Sequence, residues 1–281
     1  MVYVLLACVG APKDSPVEGD ADVDADADAD SDADSDSQTD TQDSDTAPVP
    51  CEPTEEGQCA EDERCCTPCC LEDATPICTA PDVFGECPTP DVSIDEGRLS
   101  SSVMLEDLDF EEDDCAVVEG CVTQPGLRRV LRFTTSTPNL GTGDLALGIP
   151  EEHPDQFGWS ECHQHYHYDG YAAYDMLDEA GASTVTGRKQ AFCLQDSEPI
   201  TATGLPHYNC GDQGISVGWA DNYASSLDCQ WIDVTDLPGG SYTLRVTLDP
   251  NLQLVDRDRS NNIVEVIVSL PEPTEPPSCP P

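Results

Sequence analysis

The sequence predicts a mainly β fold, a β-sandwich core with long disulfide-stapled loops and few short helices, and three observations predict it. Between Asp91 and Leu270 apolar residues recur in short alternating runs, as in Arg129-Val-Leu-Arg-Phe-Thr134, Ser241-Tyr-Thr-Leu-Arg-Val-Thr-Leu248 and Ile263-Val-Glu-Val-Ile-Val268. Alternation with period two marks a half-buried strand. Turn residues separate the runs, with Pro238-Gly-Gly240 just ahead of the second. Sixteen cysteines place the chain in an oxidising compartment, where thiols pair and staple loops. Helical periodicity is weak. Its best case, Tyr171-Ala-Ala-Tyr-Asp-Met-Leu-Asp-Glu-Ala180, reads equally as a strand and its turn.

Taken in order, the chain changes character several times. Residues 1–8 are apolar and end in Leu5-Leu6-Ala7-Cys8, the pattern of a lipobox. They are too short for a signal peptide and lack its basic start, so they read as the remnant of a lipoprotein signal whose start lies upstream, with Cys8 as the lipid-anchored residue. Residues 9–50 form an Asp/Ala and Ser/Asp/Thr repeat that has nothing to bury and reads as a disordered acidic tether. A calcium-binding acidic repeat would need glycine turns and spaced ligands, which this segment lacks. Residues 51–88 hold eight cysteines, expected to form a disulfide knot in place of a core. The alternative there is a metal site, because Cys66-Thr-Pro-Cys69 has CxxC spacing. Residues 89–270 have the composition of a folded domain, and 271–281 form a proline-rich tail.

Charge and length limit the function. With 57 acidic and 11 basic side chains the formal charge is −46, which argues against nucleic-acid binding, since phosphate needs Lys and Arg. Cations, metals and amines are better partners. No apolar run approaches the ~18 residues of a membrane span. A hydrophobic content of 38% over 281 residues fills one good core.

Three of the five histidines lie in Cys162-His163-Gln164-His165-Tyr166-His167. On a strand, positions i, i+2 and i+4 share a face, so the spacing predicts three imidazoles projecting together at roughly 6–7 Å per step. Neutral nitrogen donors suit copper or zinc, and copper binds more tightly. The bland alternative is an exposed polar strand face.

The stretch Trp159-Ser-Glu-Cys-His-Gln-His-Tyr-His167, followed by Tyr174-Asp-Met-Leu-Asp178, resembles the copper-binding segment of lysyl oxidases. Gly187-Arg-Lys-Gln-Ala-Phe-Cys-Leu-Gln-Asp196 is similar to the segment holding that family's cofactor lysine. Gln213-Gly-Ile-Ser, Asp221-Asn-Tyr223 and Asp228-Cys-Gln-Trp-Ile-Asp-Val-Thr-Asp236 are similar to the segment holding its cofactor tyrosine. The resemblance continues through Pro238-Gly-Gly-Ser-Tyr-Thr-Leu to Ser260-Asn-Asn-Ile-Val264, in the family's order.

The resemblance implies copper(II) on His163, His165 and His167, and a lysine tyrosylquinone made from Lys189 and Tyr223. Lys189 and Lys13 are the two lysines of the chain, and Lys13 falls in the tether. It further implies Asp221 as the base that takes the α-proton of a primary amine, peptidyl lysine or a small amine. Dioxygen is the acceptor; the products are an aldehyde, ammonia and hydrogen peroxide. Disulfides Cys115–Cys162, Cys121–Cys229 and Cys193–Cys210 are also implied. Of two further family pairs, one is missing where Trp219 stands and the other where Val266 stands. Asp256-Arg-Asp-Arg-Ser-Asn-Asn262 resembles a calcium-binding loop, with Asp256, Asp258, Asn261, Asn262, Asp91 and the Val92 carbonyl as oxygen donors. Its alternative is a polar loop whose asparagines serve as turn residues. Ala173 stands where the animal enzymes carry a histidine, and the loop from Cys210 to Gln213 is shorter and lacks another. These departures support the rival function, a non-catalytic extracellular module of the same fold in which the histidines hold a structural metal. A zinc hydrolase would need a glutamate motif that is absent and explains neither Lys189 nor Tyr223. The expected location is extracytoplasmic, either a cell-surface or outer-membrane lipoprotein or secreted. Residues 88–281 carry 33 acidic and nine basic side chains, a surplus that would attract cationic amines at low salt.

Overall fold

The computed structural model describes residues 50, 58–60, 62–66, 76–83, 85–187 and 193–272. Cys8, the tether but for its last residue, Lys189 and the tail from 273 onward lie outside the described residues. The strands in chain order are β1 (Arg64–Cys66), β2 (Ile77–Thr79), β3 (Met104–Phe110), β4 (Gly126–Arg132), β5 (Thr135–Pro138), β6 (Leu145–Gly148), β7 (Phe157–Ser160) and β8 (His165–Tyr168). They continue as β9 (Ala172–Leu177), β10 (Ser183–Gly187), β11 (Glu198–Pro199), β12 (Gln213–Ile215), β13 (Trp219–Tyr223), β14 (Trp231–Asp233), β15 (Gly240–Leu248) and β16 (Ile263–Leu270). Two short helices, α1 (Glu96–Ser102) and α2 (Cys115–Val118), complete a mainly β molecule.

The largest sheet has the order β10-β9-β15-β16, and its pairs are antiparallel. Its strands form where alternation is cleanest. Tyr242, Leu244, Val246 and Leu248 of β15 are buried, while Ile263, Glu265 and Ile267 of β16 face outward. The segment that read as helix or strand is a strand. β9 buries Tyr174, Met176 and Leu177 and ends in a turn where the Asp178 carboxylate accepts from the Ala180 and Ala182 amides, both at 2.9 Å. An Asx turn of this kind competes with helix continuation, so the chain reverses into β10.

One apolar cluster joins this sheet to the smaller sheets β14-β4-β3, β11-β13-β5 and β12-β6, through Leu131, Phe133, Leu145, Leu147, Ile215, Trp219 and Ile232. Trp219, where the resemblance implies a cysteine of the family to be missing, is part of that cluster. Val266 packs against the same cluster.

Five disulfides join described residues to one another. Cys115–Cys162, Cys121–Cys229 and Cys193–Cys210 pair as the resemblance implies. In the cysteine-rich segment Cys59 pairs with Cys78 and Cys66 with Cys87. Cys66 is therefore oxidised, which removes the thiolate that a CxxC metal site would require.

Candidate metal and cofactor site

The three histidines converge, though not from a single strand as their spacing predicts. β7 and β8 form a hairpin with Ser160 opposite His165 and Gly158 opposite His167. Only His165 and His167 belong to β8. Gln164 takes a left-handed conformation, φ 58°, so the chain turns between His163 and His165. An extended run cannot contain such a residue, and His163 therefore reaches the cluster from the turn. The ring centroids lie 5.8 Å apart for His163 and His165, 5.5 Å for His163 and His167, and 4.9 Å for His165 and His167.

Each ring has an orienting contact or a fixed backbone. The His165 ring donates to the His163 carbonyl. Burial, then the neighbouring imidazoles of His167 and His163, hold its pKa below the ordinary histidine value, so the neutral, metal-binding form is favoured. His163 Nε2 sits 2.9 Å from Glu119 Oε2, and the Ser160 hydroxyl donates to Glu119 Oε1 at 2.5 Å while accepting from the His163 amide at 3.0 Å. Cys115–Cys162 fastens α2 to the residue before His163. A cavity of about 350 Å³ opens beside His167, with Glu119, Trp159, Glu161 and Asp169 on its walls.

Asp221 and Tyr223 project from the same face of β13, two residues apart, and each is 2% exposed. The Tyr223 hydroxyl is shared between the Cys193 carbonyl, at 3.4 Å, and the Asp221 carboxylate. Burial first, and then the charge of Asp221, push the Tyr223 pKa well above the ordinary phenol value. Thr137 and Thr135 on β5 stand opposite Asp221 and Tyr223 and share their face. Two more buried phenols close over that face. Tyr171 donates to Thr137 Oγ1 at 2.9 Å, and the Tyr174 hydroxyl lies 3.2 Å from Thr135 Oγ1. Burial raises both, Tyr174 to about 12.

Gln213, fully buried on β12, connects the two clusters. Its Nε2 donates to the carbonyl of Tyr166, between the two strand histidines, at 3.0 Å. Its Oε1 accepts from the Leu194 amide at 3.0 Å, next to the Cys193 carbonyl that meets Tyr223. The sequence placed Gln213 in a matching segment without a role, and nothing in local spacing singled out Glu119, Ser160, Tyr171 or Tyr174. Lys189 lies outside the described residues, which resume at Cys193.

The residues expected to hold calcium also gather. Asn261 Nδ2 donates to Asp91 Oδ1 and Asn262 Nδ2 to Asp256 Oδ2, both at 2.8 Å. The side-chain carbonyl oxygens of Asn261 and Asn262 are buried without a hydrogen-bond partner. Burial, opposed by the Asn262 hydrogen bond and aided by Asp91, raises the Asp256 pKa. Unpartnered oxygens and a destabilised carboxylate are what a hard cation would relieve. Val92 is buried and bridges to Asn139. Asp258 has a local task as well, capping the short turn Arg259–Asn261 through the Ser260 amide at 2.9 Å and the Ser260 hydroxyl at 2.6 Å.

Fold and site together describe a disulfide-stapled β protein with a three-imidazole centre tied to a buried tyrosine–carboxylate pair. The comparisons with known proteins say which family that is. The family model described as Lysyl oxidase matches residues 90–274, and the chain belongs to the lysyl oxidase family. Similar curated proteins include lysyl oxidase homolog 2 of Homo sapiens and of Gallus gallus, each 35% identical over 188 residues. Lysyl oxidase homolog 4 of Homo sapiens is 34% identical over 189 residues. Each alignment covers 63% of this chain and 24% of the relative, so the chain spans about a quarter of the length of these proteins.

Proposed function

We propose that this chain is a copper-dependent oxidase of primary amines, peptidyl lysine and small amines included, with a lysine tyrosylquinone derived from Lys189 and Tyr223. The observation that carries the reading is the convergence of three imidazoles, 4.9 to 5.8 Å between ring centroids, in a segment bridged by Gln213 to the surroundings of Tyr223. A neutral three-nitrogen donor set fits copper(II). Copper and the quinone would supply a two-electron oxidation of the amine carbon and return the electrons to dioxygen, so that RCH2NH2, O2 and H2O become RCHO, NH3 and H2O2.

The chain's own residues account for the other requirements. Asp221, buried and hydrogen-bonded to the Tyr223 hydroxyl, would accept the α-proton. Tyr171 and Tyr174 keep water from the Asp221–Tyr223 face. Glu119, Glu161 and Asp169 give the cavity beside His167 a negative wall suited to an ammonium group. Asp91, the Val92 carbonyl, Asp256, Asp258, Asn261 and Asn262 would bind calcium, a stabilising rather than reacting ion. The five disulfides favour an extracytoplasmic location, with anchoring at Cys8 or secretion as the route. No helix among the described residues is long and apolar enough to cross a membrane.

The test is the cofactor itself. Copper-loaded protein exposed to oxygen should yield, after disulfide reduction and trypsin, one cross-linked species containing both Lys189 and Tyr223. It should also release peroxide in proportion to added amine. Unlinked peptides together with no amine-dependent peroxide would defeat the reading. For the calcium loop, chelation should lower the melting temperature and added calcium restore it.

A further inference from the structure

His163 is the histidine of the cluster that no strand holds. His165 and His167 are fixed by the β7–β8 ladder, whereas His163 rides on a turn next to a left-handed residue. A ring on such a turn needs an anchor from elsewhere in the fold. Glu119 is in that position. It follows α2, its amide donates to the Cys115 carbonyl at 2.8 Å, and Gly120, with φ 74°, ends the helix directly after it. Disulfides flank it on both sides, Cys115 to Cys162 and Cys121 to Cys229. The side chains of Glu119 and His163 are each 12% exposed.

We propose that Glu119 is the positioning residue of the metal centre, holding the His163 ring in place through its carboxylate. The inference rests on the reading of His163, His165 and His167 as the copper ligands. A metal ligand must be a neutral imidazole, and a carboxylate facing Nε2 favours the tautomer with its proton there and the lone pair on Nδ1. The Ser160 hydroxyl occupies the other carboxylate oxygen, which stops Glu119 from turning away. A carboxylate that fixes a ligand histidine in this way sets both its tautomer and its direction. Glu119 also lies close to the sulfurs of Cys121 and Cys229, but those are joined in a disulfide and offer no thiolate.

The test compares wild type, Glu119→Ala and Glu119→Gln in the full chain. It reads copper affinity by competition with a chelator, the copper EPR spectrum and the melting temperature of metal-free protein. Glu119→Ala should weaken copper binding about 10–100-fold, with little change in the metal-free melting temperature. Glu119→Gln, whose amide oxygen can accept the same Nε2–H, should recover most of the affinity and keep the wild-type spectrum. Copper affinity in Glu119→Ala equal to wild type would overturn the role. So would a Glu119→Gln variant as weak as Glu119→Ala with an altered spectrum, because that would make Glu119 a direct ligand. Wild-type protein that binds no copper would remove the copper reading itself, a result distinct from tight binding by every variant.

Discussion

The four-stranded sheet and the histidine hairpin are both antiparallel β structure, but different interactions hold them. In the sheet, β15 pairs with β9 on one side and β16 on the other, and every second residue from Tyr242 to Leu248 is buried. Apolar burial at about 25 cal/mol per Å² carries that region. The β7–β8 hairpin has four register pairs, and its Trp159 is 47% exposed. Phe157 and Tyr168 seat one end of it in the same apolar cluster, while its histidine end is fixed by a disulfide and by polar contacts to Glu119 and Gln213. The contrast teaches that the histidine end depends on contacts the sheet does not need, so the site can be damaged while the sheet stands.

The largest expected effect tests the sheet. Leu244→Ala, at a fully buried position in the middle of β15, should cost about 2–5 kcal/mol in denaturant unfolding. Copper affinity per folded molecule should be unchanged; a parallel loss would break the comparison. Next is the staple of the hairpin. Replacing both Cys115 and Cys162 by serine should cost about 2–4 kcal/mol and also weaken copper binding, since Cys162 precedes His163. Competition titration beside the unfolding curve reads both, and unaltered copper affinity would show that the hairpin holds its shape unaided.

Gln213→Leu should be milder in stability and sharper in function. It leaves the Leu194 amide and the Tyr166 carbonyl without their partner, about 1–3 kcal/mol for a buried group. Quinone absorbance at saturating copper should fall, and normal quinone yield would mean that the bridge does not couple the two clusters. The smallest effect belongs to an exposed polar link. Arg98 and Glu198 form an ion pair whose side chains are about one-third exposed. The hydrogen bond from Arg98 holds the Glu198 pKa below the ordinary glutamate value. A carboxyl with a lowered folded-state pKa stabilises above its unfolded pKa and loses that contribution as pH falls through the folded one. Glu198→Gln should therefore cost about 0.5 kcal/mol at neutral pH, and the difference from wild type should vanish in acid. A larger or pH-independent difference would place this exposed link with the buried ones.

Several features of the molecule were legible in the sequence because they are local or covalent. Alternation located β15 and β16, since a strand's two faces are written in successive residues. The pattern could not choose between helix and strand for Tyr171–Ala180, where the neighbouring β15 and the Asp178 turn settle the matter. The spacing of the histidines foretold that the three rings converge and misjudged the backbone, because a left-handed Gln164 leaves no signature in composition.

Residue chemistry and short-range order thus determined the strands, the oxidised cysteines and the histidine cluster, and the resemblance pointed to the Asp221–Tyr223 pair. Only the tertiary structure decided what surrounds them. Glu119 meets His163 across 44 residues of chain, and Gln213 meets Tyr166 across 47. Such contacts depend on how sheets and staples bring distant segments together. A side chain's sequence neighbours do not record who faces it once the chain has folded.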